Sequence, residues 1–266
     1  MFKQFDKGDI EGFKGEMDEM SHPSRFSFLM AVKGLRKGCL NGFIGTTGSG
    51  KSTLLKTIIA DSSNEKCLVW LSEETAKEYQ VKIQRALKEK DNIKNIYFVE
   101  ERELESLDNK IQEVFLKKFE KIVYEIRPKI IFIDNITSSN FYSDDLSPAQ
   151  QGASATFLSR LAKKANIPIV FVAHTKKGVN DTYSGLITKE DVRGSQKISI
   201  ITEYLYIIQT FSSRGKKYPL ITISKNRHHE VDDKYYVLGF HEGIYKFDKM
   251  VDFEIVKKMF RARDVL

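Results

Sequence analysis

Gly45-Thr46-Thr47-Gly48-Ser49-Gly50-Lys51-Ser52 sits between an apolar run, Cys39 to Ile44, and a helical pattern that begins near Ser52. It fits the pattern G-x-x-x-x-G-K-[ST] in the context that gives the pattern meaning, after a strand and opening a helix. Glycines let successive backbone N–H groups turn inward and form a nest for phosphate oxygens. The helix N-terminus adds its dipole. Residues Gly45, Thr46, Thr47, Gly48, Ser49, Gly50, Lys51, Ser52 and Thr53 are therefore the candidate phosphate ligands. Lys51 would pair with β- and γ-phosphates, and the Ser52 hydroxyl would ligate Mg²⁺.

Working outward, short apolar runs alternate with helical patterns. Lys66 to Leu71, Asn95 to Val99, Lys129 to Ile133 and Pro168 to Ala173 read as further strands. Helical spacing covers Thr75 to Lys88, Leu107 to Ile126 and Pro148 to Ala165, the last with proline at its first turn. The strands are continuously apolar, as strands covered on both faces are. Strand–helix alternation of this kind predicts a mostly parallel sheet flanked by helices. The second strand is expected to lie beside the first. Beyond residue 203 the long helices stop. Tyr204 to Gln209, Tyr218 to Ser224, Tyr235 to Phe240 and Ile244 to Phe247 predict an antiparallel C-terminal extension, with a last helix near Phe253 to Phe260.

Composition narrows the classes. With 41% hydrophobic residues the 266-residue chain can bury a core, which excludes wholesale disorder. No apolar run approaches the roughly 20 residues of a membrane span, and Met1 to Glu19 lacks the apolar centre of a secretory signal. Two cysteines, Cys39 and Cys67, make no disulfide framework, so a reduced, cytoplasmic setting without membrane is expected. A net charge of +7 is compatible with an anionic partner or with a merely soluble surface.

Six further residues carry possible chemistry. Asp134 ends the strand Ile130-Ile131-Phe132-Ile133, where a carboxylate points into the ligand crevice and can hold Mg²⁺ with Ser52. Glu73 and Glu74 follow the second strand. One could orient an attacking water, or the run Ser72-Glu73-Glu74-Thr75 could be the N-terminal capping of the next helix. His174 ends the fifth strand, as a γ-phosphate contact or a structural residue. Lys225 and Arg227 alternate with Asn226 and so share one side of an extended segment.

The order of these motifs resembles that of the RecA-like P-loop ATPases and, within them, the DnaB-type replicative helicase core. The similarity runs from about Leu35 to Phe247 and extends to RepA, RadA and KaiC relatives. It implies a RecA-like α/β domain over 37–266 preceded by an N-terminal arm over 1–36. It implies ATP and Mg²⁺ as cofactors, with Lys51, Glu73, His174, Lys225 and Arg227 as catalytic residues. The segment Leu71-Ser72-Glu73-Glu74-Thr75 is similar to the family's catalytic-glutamate segment, which makes Glu73 the general base. His174 stands at the sensor position. Asp191-Val192-Arg193-Gly194-Ser195-Gln196 followed by Glu203 matches a helicase segment, and Lys225-Asn226-Arg227 matches the K-x-R motif that reaches a neighbouring subunit's ATP site.

The resemblance implies a homo-oligomer, a hexameric ring or a filament, that acts on single-stranded DNA. Its DNA contacts would come from Thr137 to Gln151 and Lys176 to Val192, through Lys176, Lys177, and Tyr142 or Tyr183 as stacking platforms. Asp144 and Asp145 oppose phosphate in the first segment. His228-His229-Glu230 stands where helicases usually place a glycine, and the phosphate loop is closer to those of RadA and KaiC. The alternative is a nucleotide-switched ATPase that assembles on DNA or a protein without unwinding.

Overall fold

Alternate residues of each central strand face opposite ways, and in a computed structural model of the chain both sets are covered. The structure describes residues 24–87, 93–104, 112–176, 187–213, 216–228, 234–252 and 254–256. Phe43, Val69, Leu71, Phe132, Val170 and Val172 point to one face. There they meet helices α2 (Lys51–Asp61) and α3 (Ala76–Gln84). Leu40, Ile44, Leu68, Trp70, Ile131, Ile133, Ile169 and Phe171 point to the other, under α4 (Gln112–Ile126) and α5 (Pro148–Ala165). Two-sided burial explains why the sequence shows unbroken apolar runs. The second core turns on Trp70, whose ring meets Phe119 edge-on at 4.9 Å. Truncating Phe119 to alanine would cost about 3–5 kcal/mol.

Among the described residues, nine strands form one sheet: β1 (Leu40–Gly45), β2 (Cys67–Leu71), β3 (Ile96–Glu100), β4 (Ile130–Asp134), β5 (Ile169–His174), β6 (Tyr204–Ser213), β7 (Lys216–Asn226), β8 (Tyr235–His241) and β9 (Ile244–Val251). Their order is β3-β2-β4-β5-β1-β6-β7-β8-β9. β3 through β6 in that order are parallel, and β6 to β9 form an antiparallel meander. The expected neighbour of β1 is corrected here. β2 pairs with β3 and β4, while β1 lies between β5 and β6. The chain leaves β1 over one face and returns from β3 over the other. This reversal opens a crevice beyond the carboxyl ends of β1, β5 and β4, where open α/β sheets bind ligands.

Residues 24–36 share the main core. Phe26, Phe28, Leu29, Val32 and Leu35 are all buried in it. The short helix α1 (Ser27–Met30) is capped by Asp248 of β9, which accepts from Ser27 N at 2.7 Å and Phe28 N at 2.9 Å. Arg25 pairs with Asp61 at 2.7 Å. The expected helix starts at Leu107 and the terminal helix to Phe260 fall partly outside the described residues. Within them, α4 runs from Gln112 and 254–256 are helical. No helix of the described residues is long and apolar enough to cross a membrane.

Candidate nucleotide site

The phosphate loop leaves β1 at Gly45 and enters α2 at Lys51. Gly48 and Gly50 have φ of 80° and 90°, a region open to glycine and strained for other residues. Gly50 is also the N-cap of α2 and supplies no side-chain oxygen, so the first N–H groups of α2 receive no cap from it. A Cβ on Gly50 would lie 2.1 Å from the Tyr245 hydroxyl of β9, so the meander packs directly on the loop. Lys51 is buried, its Nζ donating to Thr46 O at 2.5 Å within the turn.

Ser52 and Asp134, distant in sequence, meet here. Ser52 Oγ donates to Asp134 Oδ1 at 2.9 Å, and the Tyr79 hydroxyl donates to Asp134 Oδ2 at 2.8 Å. Burial pushes the Asp134 carboxyl above its ordinary range, while Lys56, Tyr79 and Ser52 pull it back. Burial and the adjacent Asp134 raise the Tyr79 phenol well above its usual value. A carboxylate and a hydroxyl are hard oxygen donors, which fits Mg²⁺ completed by phosphate oxygens and water. Tyr79 escaped sequence reading because its spacing with Ile83 on α3 gives only an inward face. Its hydroxyl finds Asp134 through tertiary packing.

The two glutamates after β2 separate. The N-terminal capping of α3 is done by Thr75 and Glu78, which form a reciprocal capping box, so neither Glu73 nor Glu74 is needed for it. Glu74 is spanned by Lys56 and Lys82, each at 2.7 Å; burial is the largest single effect and pushes its carboxyl up, but the two lysines together outweigh it and hold the carboxyl below the usual range. Glu73 is exposed and accepts from Ser138 Oγ at 2.5 Å. His174 ends β5, with Nδ1 at 3.5 Å from Thr47 Oγ1 and Nε2 at 3.2 Å from Asn135 Nδ2. Burial and Lys51 lower its pKa, Glu73 raises it and Arg193 lowers it again, for a net fall. Lys51, Ser52, Asp134, Glu73 and His174 thus converge on one edge of the sheet.

Residues 27–180 match a family model described as an AAA domain. The chain belongs to this family. No curated protein matches the chain. A solved structure described as a DnaB-like replicative helicase and its interactions with primase is similar in fold, at a TM-score of 0.69 and 12% sequence identity. The likeness covers 92% of this chain and 67% of that one. It shows a shared fold, a RecA-like P-loop architecture with a mostly parallel sheet and an antiparallel extension.

Beyond the matched residues, the remaining candidates do not join this edge. Asn226 is in register with Tyr204, and Tyr204 with Asn41 near the start of β1. Lys225 and Arg227 therefore lie at the amino end of the parallel strands, opposite their own phosphate loop. Lys225 Nζ donates to Ser199 O at 2.6 Å and Ile200 O at 2.7 Å, and Arg227 also donates to Ile200 O. These carbonyls belong to the short helix α6 (Lys197–Ile201). Burial and Arg227 lower the Lys225 pKa to about 8. Glu203 is buried and accepts from Leu40 N at 2.9 Å, which fixes the start of β1.

The carboxyl-edge segments differ from expectation in one respect. Tyr142 is 1% exposed, and its hydroxyl donates to Ser195 O at 3.1 Å. It cannot stack a base, because its ring is part of the second core beside Phe141. Asp144 pairs with Arg193, so part of the acidic charge of the first segment is already neutralised. Lys176 is exposed, with Nζ donating to Glu190 O at 2.6 Å. Lys177 and Tyr183 lie outside the described residues.

Proposed function

We propose that this chain hydrolyses ATP with Mg²⁺ as part of a homo-oligomeric motor on single-stranded DNA, of the DnaB-like replicative helicase type. One observation carries the reading. The groups needed to hold and cleave a triphosphate gather at one sheet edge, while the paired cations Lys225 and Arg227 gather at the other. A chain so arranged has half a site at each edge; a second copy stacked head to tail completes one shared site and leaves the other half for the next copy of a ring or filament.

In this reading Gly45 to Thr53 cradle the phosphates, with backbone N–H groups and the α2 N-terminus supplying positive potential. Lys51 pairs with β- and γ-phosphate oxygens. Mg²⁺ held by Ser52 Oγ and Asp134 would offset the negative charge of the same oxygens. Glu73, left free of capping, orients the attacking water and accepts its proton. His174 contacts the γ-phosphate. Arg227 and Lys225 from the neighbour neutralise charge that develops in the transition state. His174 also opens the segment that returns through Arg193, whose N–H donates to His174 O at 2.9 Å and whose side chain holds Asp144. Loss of the γ-phosphate would be passed along this path to the DNA-facing segments and Lys176.

The second reading, a nucleotide switch that assembles on DNA or protein without unwinding, draws support from the His228-His229-Glu230 sequence after the paired cations. The deciding assay measures ATPase rate with and without single-stranded DNA across protein concentration, together with strand displacement on a forked duplex. Stimulation by DNA with displacement supports the motor. DNA-stimulated turnover without displacement supports the switch. A rate indifferent to both DNA and dilution overturns the oligomeric reading.

A further inference from the structure

Asn135 follows Asp134 directly, yet its side chain serves the far side of the site. It is 3% exposed. Its Oδ1 accepts from Ser138 N at 2.8 Å and from Thr137 Oγ1 at 2.8 Å. A backbone N–H can only donate, so this side of the amide is the oxygen. The opposite side, 3.2 Å from His174 Nε2, is then the NH₂ group. An amide nitrogen donates and does not accept, so Nε2 must be the bare nitrogen of the ring. The imidazole proton is left on Nδ1, the nitrogen that faces Thr47 Oγ1 of the phosphate loop at 3.5 Å.

We infer that Asn135 is a positioning residue that holds His174 as a neutral imidazole with its N–H directed at the phosphate loop. The ring therefore meets phosphate as a hydrogen-bond donor of fixed direction rather than as a cation. The amide can impose this choice because its own backbone is pinned on both sides. Asn135 N donates to Ser72 Oγ at 2.9 Å, and Ser72 Oγ donates to Asn135 O at 2.8 Å. The charged groups around the ring act in the same sense on balance. Lys51 and Arg193 favour the neutral form, and Glu73 alone opposes them. The same asparagine orients Ser138, whose hydroxyl donates to Glu73. One side chain thus sets both the phosphate contact and the partner of the general base. The role given to phosphate here rests on the proposed ATPase reading, whereas the protonation state of the ring does not.

The test is long-range ¹H–¹⁵N correlation of the histidine rings in the full chain without nucleotide, with the His174 signal assigned by its loss in His174→Gln. The expected result at pH 7 is a neutral ring protonated on Nδ1. Asn135→Asp keeps the acceptor for Ser138 N but replaces the donor with an acceptor. It should move the proton to Nε2 and raise the proton affinity of the ring at least tenfold. A wild-type His174 that is protonated on Nε2 or doubly protonated at pH 7 overturns the inference, whether or not the variant folds. So does a folded Asn135→Asp whose His174 signal is unchanged. An Nδ1-protonated His174 in a protein without ATPase activity would leave this inference standing and remove the hydrolase reading.

Discussion

The two ends of the parallel strands carry different sets of polar groups. At the carboxyl end, Ser52, Asp134, Tyr79, Glu73 and His174 form a bonded set around the phosphate loop. At the amino end, Lys225 and Arg227 rest on the carbonyls of α6, with the full length of β1 between them and that loop. Burial and the neighbouring Arg227 disfavour the Lys225 ammonium there, a cost that a phosphate brought beside the pair would offset. The contrast teaches that a phosphate loop and the cations proposed to serve it can be kept a full strand length apart in one chain, a separation that the proposed oligomer would bridge.

The largest effect expected from breaking this division is at Arg227. Arg227→Ala should lower single-stranded-DNA-stimulated ATPase by roughly 10³-fold or more, as removal of an arginine finger does, while ATP binding at the other edge is retained. Glu73→Gln should lower kcat by about 10²–10⁴-fold with little change in ATP affinity, measured by single-turnover hydrolysis and nucleotide binding. Glu74→Gln should spare the chemistry, since Glu74 is held between Lys56 and Lys82. Equal kinetic losses in the two variants would dissolve the assignment of Glu73.

A smaller effect is expected at Tyr79. Tyr79→Phe removes the hydroxyl that orients Asp134 and should weaken Mg²⁺ affinity in the presence of ATP about 10–100-fold. Removing Mg²⁺ with a chelator should abolish the difference in nucleotide binding between this variant and wild type. The smallest effect concerns Lys225. Its folded pKa, about 8, lies below the ordinary lysine value, so the unfolded chain binds more protons between them. This group therefore reduces stability below about pH 8, and the reduction fades as pH rises through the range from 8 to 10. Dilute protein should gain melting temperature over that range from this group, and Lys225→Met should remove the gain. A gain of the same size in the variant would show that another group is responsible.

Much of the carboxyl edge was legible because its signals are local. The phosphate loop announces itself through glycines whose positive φ the fold requires, and Asp134 through the apolar strand it ends. α5 was readable to its boundaries, since Ser147, Pro148 and Gln150 form its start and Asn166 its left-handed stop. Residues whose roles come from contacts between distant segments were not legible. Tyr79 and Asn135 carry no sequence signal of their own, because each meets its partner, Asp134 or His174, only through tertiary packing. Tyr142, in a polar stretch, reads as exposed but is drawn under by Phe141 and the backbone of Ser195. The position of β2 was misjudged for a related reason, because adjacency in sequence does not give adjacency in a sheet whose chain crosses two neighbours.

The composite site is tested most directly by mixing two variants, each disabled at a different edge. Lys51→Ala removes the phosphate lysine and leaves the paired cations intact, while Arg227→Ala does the reverse. Mixed in equal amounts, they should regain DNA-stimulated ATPase activity that neither has alone, because the loop of one meets the arginine of the other. A mixture as inactive as its components, or an Arg227→Ala protein that hydrolyses ATP at the wild-type rate at every dilution, would contradict it.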